Sequence, residues 1–423
     1  MKNYLYLVVL TCLLFSARSL QAQCDDGRYF NKIFSTQISN NVTYGSAVRF
    51  NGDTQTLRMN IYQPSGDDFA HRPLIMLAFG GSFTSGVKES PDLLVLCDEF
   101  TRRGYVCASI DYRLGFEDGN DSDTNQFKAV IRGVQDMRAA VRFFYKDAYT
   151  ANNYRIDTNQ IFIGGVSAGG FIALNYAYAK LDTFSRQLPP FVPNALIEVG
   201  GLIGTSGNPG YSDKVKGVID LCGAIADTVW IMPNDPILVG VHGTADDLVR
   251  CDYDSLYATT TTESSFYGGC DIKNRIENIG ITSSFRLFQG AGHVPFVLPS
   301  TPYLPPSKQY MDTTVLFLRD FLFANTECDS TRILTGIGNV EADISVALYP
   351  NPAEGMFNIA SAHDKVLVAD VYSVEGKLVS SKLVYPRNLQ AFERSEIGAG
   401  LFVVKLSDWQ SGQQMKTLKA VMY

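Results

Sequence analysis

The strongest constraint on this chain is a series of short apolar runs between residues 57 and 288, separated by segments of helical spacing. Leu57–Tyr62, Leu74–Phe79, Tyr105–Ile110, Ile161–Val166, Val218–Cys222, Ile237–His242 and Phe285–Phe288 read as strands. Four of the seven end in, or run directly into, Gly, Asp or His, and they read as short continuous apolar runs, as parallel strands buried on both faces do. Between them, Val130, Val134, Met137, Val141 and Phe144 recur close to the 3.6-residue period within Phe127–Tyr145. Phe171–Ala179, Asp271–Ile279 and Asp312–Phe323 also read as helices. Strand–helix alternation predicts an α/β fold with a mostly parallel central sheet and helices on both faces.

The pattern changes near Thr335. Beyond it come short strand-like runs at Val346–Tyr349, Phe357–Ile359, Val366–Tyr372 and Leu401–Leu406, broken by turn signals at Asn351-Pro352 and Glu375-Gly376. No clear helix interrupts them, so a small C-terminal β-sandwich-like domain is expected. A chain of 423 residues suits one large core and one small one. The start reads as a secretory signal: Lys2, an apolar run over Leu5–Phe15, and a cut after Ala22. That run is too short for a span of about 20 residues, and no later segment reads as a membrane helix. The expected organisation is a signal peptide at 1–22, an α/β domain at 23–330, a linker at 331–341 and the C-terminal domain at 342–423.

A formal charge of −7 without a basic block gives no electrostatic reason to bind nucleic acid or an anionic membrane. Of eight cysteines, Cys12 leaves with the signal. Export permits disulfides. Cys251 with Cys270, Cys97 with Cys107 and Cys24 with Cys328 are candidate pairs, with Cys222 left as a buried thiol in an apolar run; spacing leaves the connectivity open. No CxxC or Cys/His cluster suggests zinc, and no metal or organic cofactor is expected.

Four stretches carry chemistry. Gly165-Val166-Ser167-Ala168-Gly169 follows the Ile161–Val166 strand and precedes a helix. Small residues there permit a sharp strand-to-helix turn that presents a serine and aims the Ala168 N–H at a reacting oxygen. Phe79-Gly80-Gly81-Ser82-Phe83 ends an earlier strand, and its glycines allow close approach of backbone to a substrate carbonyl. His242-Gly243-Thr244-Ala245-Asp246-Asp247 supplies a loop acid; Asp246 is the choice, with Asp247 and Asp227 as rivals. Gly290-Ala291-Gly292-His293 follows the last strand of the α/β domain. Of four histidines, His71 lies in a polar loop, His363 in the C-terminal domain and His242 in the acid's own stretch, which leaves His293 as base. Ser167, Asp246 and His293 occur in the chain order of a nucleophile-elbow triad. Phe83, Phe171, Trp230 and Phe296 are candidates to line an acyl pocket, although core packing is the commoner fate of such residues.

Taken together these stretches resemble the α/β-hydrolase superfamily over about residues 40–325, nearest to hormone-sensitive-lipase-like carboxylesterases and the feruloyl- or acetyl-esterase groups. Asp111-Tyr112-Arg113-Leu114 and Asp136 are similar to the corresponding parts of those enzymes. The resemblance implies a serine esterase in which Gly81, Ser82 and Ala168 supply the oxyanion-hole N–H groups, acting on small or sugar-linked carboxylic esters. Phe79 stands where these families often have His, and Ser82 where many have a third Gly. The acid's stretch also resembles dipeptidyl-peptidase-like serine peptidases, and a catalytically silent adhesion protein on the same fold is the non-enzyme alternative. Leu348-Tyr349-Pro350-Asn351-Pro352, Val371-Tyr372 through Gly376-Lys377, Gly400–Val404 and Lys416-Thr417-Leu418-Lys419 resemble a type IX secretion sorting domain of type A. That resemblance implies passage through the periplasm and outer membrane, with the type IX machinery as partner, to the cell surface or medium.

Overall fold

The computed structural model describes residues 27–117, 122–179, 192–255, 265–297, 307–327, 346–361, 365–374, 377–386, 389–409 and 414–423. The expected signal peptide and linker, with Cys24 and Cys328, lie outside the described residues. The chain forms two compact units: Phe34–Thr314, and Val315–Tyr423 with the described residues before Phe34.

The first unit contains β1 (Thr36–Val48), β2 (Thr54–Pro64), β3 (Arg72–Ala78), α1 (Pro91–Thr101), β4 (Val106–Ile110), α2 (Asp123–Tyr149), β5 (Ile156–Val166), α3 (Ala168–Tyr178), α4 (Val192–Glu198), β6 (Gly217–Leu221), β7 (Ile237–Gly243), β8 (Asp254–Ser255), β9 (Ser265–Phe266), α5 (Gly269–Ile279) and β10 (Ser283–Phe288). The next helix, α6 (Ser307–Asn325), contains the boundary between the units. One eight-stranded sheet runs in the order β1-β2-β4-β3-β5-β6-β7-β10. From β4 to β10 every pairing is parallel, while β1 with β2 and β2 with β4 are antiparallel. Every residue of β3, β4 and β6 is buried. Strands covered on both faces have no polar side to show, which is why they stand out in the sequence as unbroken apolar runs. The functional loops leave the carboxyl ends of β3, β5, β7 and β10, the edge where open α/β sheets gather their ligands.

Cys251 and Cys270 are joined by a disulfide, and Cys222 is a buried thiol. Cys97 and Cys107 are a correction to the expected pairing, since both are free and buried. Cys97 on α1 packs on Cys107 of β4 and the two thiols hydrogen-bond; burial pushes the Cys97 thiol well up. A thiol held in its protonated form is a poor nucleophile for disulfide exchange.

The second unit carries β11 (Val346–Tyr349), β12 (Met356–Ser361), β13 (Leu367–Ser373), β14 (Leu378–Val384), β15 (Leu389–Glu393), the single turn α7 (Arg394–Ile397), β16 (Gly400–Asp408) and β17 (Gln414–Met422). They form a three-stranded sheet, β11-β12-β15, and a four-stranded one, β14-β13-β16-β17, antiparallel throughout. The two sheets share one core, including Phe357 and Phe392 from the first, stacked at 5.2 Å, and Leu367, Val371 and Val404 from the second. Within this unit Arg319 of α6 bonds Asp370 Oδ1 at 3.1 Å and Ser381 Oγ at 2.9 Å. No described helix is long and apolar enough to cross a membrane.

Candidate active site

Ser167 stands between the end of β5 and the start of α3, with φ +52° and ψ −115°. Such a backbone is costly for any L residue and persists only where the surroundings enforce it. Here close packing enforces it. A Cβ on Gly169 would lie 2.1 Å from the Ala78 carbonyl oxygen, and one on Gly165 would lie 2.4 Å from the Gly169 carbonyl carbon. The chain can turn from strand to helix this tightly only with glycine on both sides of the serine. The Ser167 N–H donates to the Leu221 carbonyl at 2.8 Å, which ties the turn to β6. Ser167 itself is only 8% exposed.

Three side chains form one hydrogen-bonded line. His293 Nδ1 is 2.7 Å from Asp246 Oδ2, and His293 Nε2 is 2.8 Å from Ser167 Oγ. Burial pushes the Asp246 carboxyl up, but hydrogen bonds from His242 and His293 more than offset it, and the group is held well below the usual carboxylate range. An ionised carboxylate can only accept, so Nδ1 of His293 carries the hydrogen and Nε2 is left as the acceptor for the serine hydroxyl. Asp246 Oδ1 accepts the N–H groups of Leu248 at 3.0 Å and Val249 at 2.9 Å. The acid and base loops are also stitched together: Thr244 N–H donates to Phe288 O at 3.0 Å and Ala245 N–H to Ala291 O at 2.9 Å. The rivals stand elsewhere. Asp247 is exposed, and Asp227 accepts the Val229 N–H at 2.9 Å as cap of the short turn Thr228–Trp230.

The loop after β3 lies against the elbow, since a Cβ on Gly80 would be 3.2 Å from that of Ser167. Gly81, Ser82 and Phe83 follow at φ +132°, +52° and +59°, three successive residues with positive φ that bend the chain sharply beside the serine. Ala168 opens α3, where backbone N–H groups have no partner within the helix. Tyr112 holds this loop from behind: its hydroxyl donates to the Phe79 carbonyl at 2.9 Å and its ring stacks on Phe79 at 4.4 Å. Burial pushes the Tyr112 phenol well up, so it remains a donor. Its neighbour Arg113 clasps Asp136, with Nε 2.9 Å from Oδ2 and the Arg113 N–H 2.8 Å from the same oxygen; Ser206 Oγ donates to Oδ1 at 2.7 Å. The Asp111–Leu114 stretch is thus a brace for the oxyanion-loop candidate. Of the aromatic candidates for a pocket, Phe83, Phe171, Trp230 and Phe296 are all buried. Of two further residues at the site, Val249 was not named by sequence reasoning and His242 was named only as part of the acid's stretch. Val249 supplies an N–H to the acid, and His242 lies fully buried beside it.

Residues 59–259 match the BD-FAE family model, a range that contains Ser167 and Asp246 and ends before His293. Residues 347–420 match the model of the secretion system C-terminal sorting domain. Among curated proteins the chain is 23% identical over 198 residues to "Gut esterase 1" of Caenorhabditis briggsae, which covers 45% of this chain and 33% of that protein. It is 30% identical over 161 residues to "Probable isoprenylcysteine alpha-carbonyl methylesterase ICME" of Oryza sativa subsp. japonica, covering 38% of this chain and 32% of that one. The chain thus spans about a third of the length of these two relatives. Among solved structures it is similar to a thermophilic esterase of Thermogutta terrifontis, at 19% identity and a TM-score of 0.47, over 68% of this chain and 94% of that one.

Proposed function

We propose, for a chain that joins an α/β-hydrolase domain of the BD-FAE family to a C-terminal secretion sorting domain, that it is a serine esterase working outside the cell that makes it. The observation that carries this reading is the continuous line from Ser167 Oγ through His293 to Asp246, at 2.8 Å and 2.7 Å. His293 Nε2 takes the hydroxyl proton as Ser167 Oγ attacks the ester carbonyl carbon. Asp246 holds the imidazole in the tautomer that can do this and stabilises the imidazolium that results. The carbonyl oxygen becomes an oxyanion that rests on the N–H groups of Ala168, Gly81 and Ser82. His293 then returns the proton to the departing alcohol. Water repeats the sequence on the acyl-enzyme and frees the acid.

The sorting domain addresses the chain to the cell surface or the medium through the type IX machinery. Small carboxylic esters, including esters carried on sugars, are the substrate class. A screen of the mature protein across acetyl, butyryl, long-chain and feruloyl esters and an aminoacyl amide tests both chemistry and range. Turnover of the amide above all esters would reject the esterase reading. Ser167→Ala should lower turnover by up to about 10⁶, the scale of a lost triad nucleophile; near-normal turnover in that variant would remove the serine mechanism.

A further inference from the structure

Beside the acid lies a second histidine that the acyl-transfer scheme leaves unused. His242 is fully buried at the end of β7, and its Nε2 is 2.8 Å from the Val249 carbonyl oxygen and 3.3 Å from Asp246 Oδ2. We propose that His242 is a positioning residue, whose Nε2–H is shared between Val249 and Asp246 and sets the aim of the carboxylate at His293. This rests on the triad reading above and deepens it.

The donor assignment follows from the partners. A backbone carbonyl only accepts, so the nitrogen facing Val249 carries the hydrogen, and Asp246 Oδ2 lies within reach of the same N–H. Val249 is then held at both ends. Its N–H donates to Asp246 Oδ1 and its carbonyl accepts from His242. The Leu248 and Val249 amides are neighbours of Asp246 in the chain, so on their own they fix the carboxylate only relative to its own loop. His242 connects that loop to β7, a strand paired on both sides within the sheet.

A purely structural account explains the residue poorly. His242 Nδ1 is buried with no hydrogen-bond partner among the described residues, and so is Oδ2 of Asp220. Asp220 pairs in register with Gly240 on β6–β7, and His242 lies two residues further along the same face. A Cβ on Gly269, at the start of α5, would come within 2.8 Å of His242 Nδ1. Burying imidazole and carboxyl atoms without partners is costly, and an apolar side chain would fill this space without that cost. The expense is explained if the site requires the Nε2–H. Asp220 and Asp246 also draw the ring toward its protonated form against the opposing effect of burial, which favours the donor state.

The test uses the full mature chain and an ester on which it is active. In His242→Leu, kcat should fall roughly 10²-fold, the scale of a small misplacement at a reacting centre, while KM changes less than about twofold. In His242→Gln the amide nitrogen reaches almost to the position of Nε2, and kcat should recover at least tenfold relative to the leucine variant. His242→Asn stops short and should stay impaired, so the Gln/Asn pair decides the matter if the leucine variant does not fold. Wild-type kcat in His242→Leu, equal activity in the Gln and Asn variants, or a loss confined to KM would overturn the proposal. Ser167→Ala in the same series separates the two failures: if it is inactive while the His242 variants match wild type, only this inference falls.

Discussion

Two buried aspartates lie within reach of His242, and their surroundings drive them in opposite directions. Asp246 accepts hydrogen bonds on both oxygens and is held ionised. Its replacement by Asn should cost roughly 10⁴ in kcat, through the wrong imidazole tautomer and an unstabilised imidazolium, whereas Asp247→Asn should stay close to wild type. Steady-state kinetics on the two variants checks this; equal losses would reject Asp246 as the acid. Asp220 is pushed up from 3.8 to about 6 by burial, with His242 and the Gly223 N–H pulling only partly the other way. A carboxyl raised in this way binds its proton more tightly when folded. It therefore contributes stability below about pH 4 that is lost as pH rises through about 6. Asp220→Asn keeps an acceptor for the Gly223 N–H and removes the titration. The variant should match wild type in unfolding free energy from urea denaturation near pH 4 and exceed it at pH 7.5 by up to about 3 kcal/mol. A variant less stable than wild type at pH 7.5 would show that the Asp220 charge is fully compensated.

At the scale of elements, the elbow between β5 and α3 is the least tolerant joint. The Cβ introduced by Gly169→Ala would meet a backbone carbonyl of β3 rather than a side chain that can swing away. Denaturant unfolding should show a loss of about 3 kcal/mol or more, with ester turnover falling alongside; a variant that keeps both would mean that the elbow can open. The strands that stood out most plainly in the sequence are those buried over all or nearly all of their length. β3, β4, β6 and β7 could be read from apolar runs alone. β1 was not, because it is a mostly exposed edge with register shifts after Ser39 and Thr43, and its outward residues carry no pattern to detect. In the C-terminal unit β14 and β15 were missed for the same reason, as both are only partly buried. Ser167, Asp246 and His293 stood out because each sits beside glycines at the end of a strand. The position of His242 against Val249, Asp220 and Gly269 was hidden, because those contacts come from separate strands, loops and helices that converge only in the folded chain.

At the scale of the whole molecule, Ser167, Asp246 and His293 all lie in the unit Phe34–Thr314. A chain ending before residue 342 should therefore keep ester turnover within a few-fold of the full protein. Its thermal midpoint should be lower by a few degrees, on the order of 1 kcal/mol, because Arg319 loses Asp370 and Ser381 and Lys32 loses the Trp409 ring 4.5 Å away. Calorimetry and turnover on the shortened chain check both parts. Loss of activity in a shortened chain that remains folded would assign the C-terminal unit a part in substrate binding.

The disulfide between Cys251 and Cys270 closes the segment that follows the acid and fixes the start of α5, whose Gly269 packs against His242. Such a bond does not persist in reducing cytoplasm. A newly made chain therefore lacks this covalent closure, and until the bond forms the segment is held by noncovalent contacts alone, such as the hydrogen bond from the Cys270 N–H to the Cys251 carbonyl. On the exported serine-esterase reading proposed above, synthesis of the chain and covalent closure of this segment are separated in space.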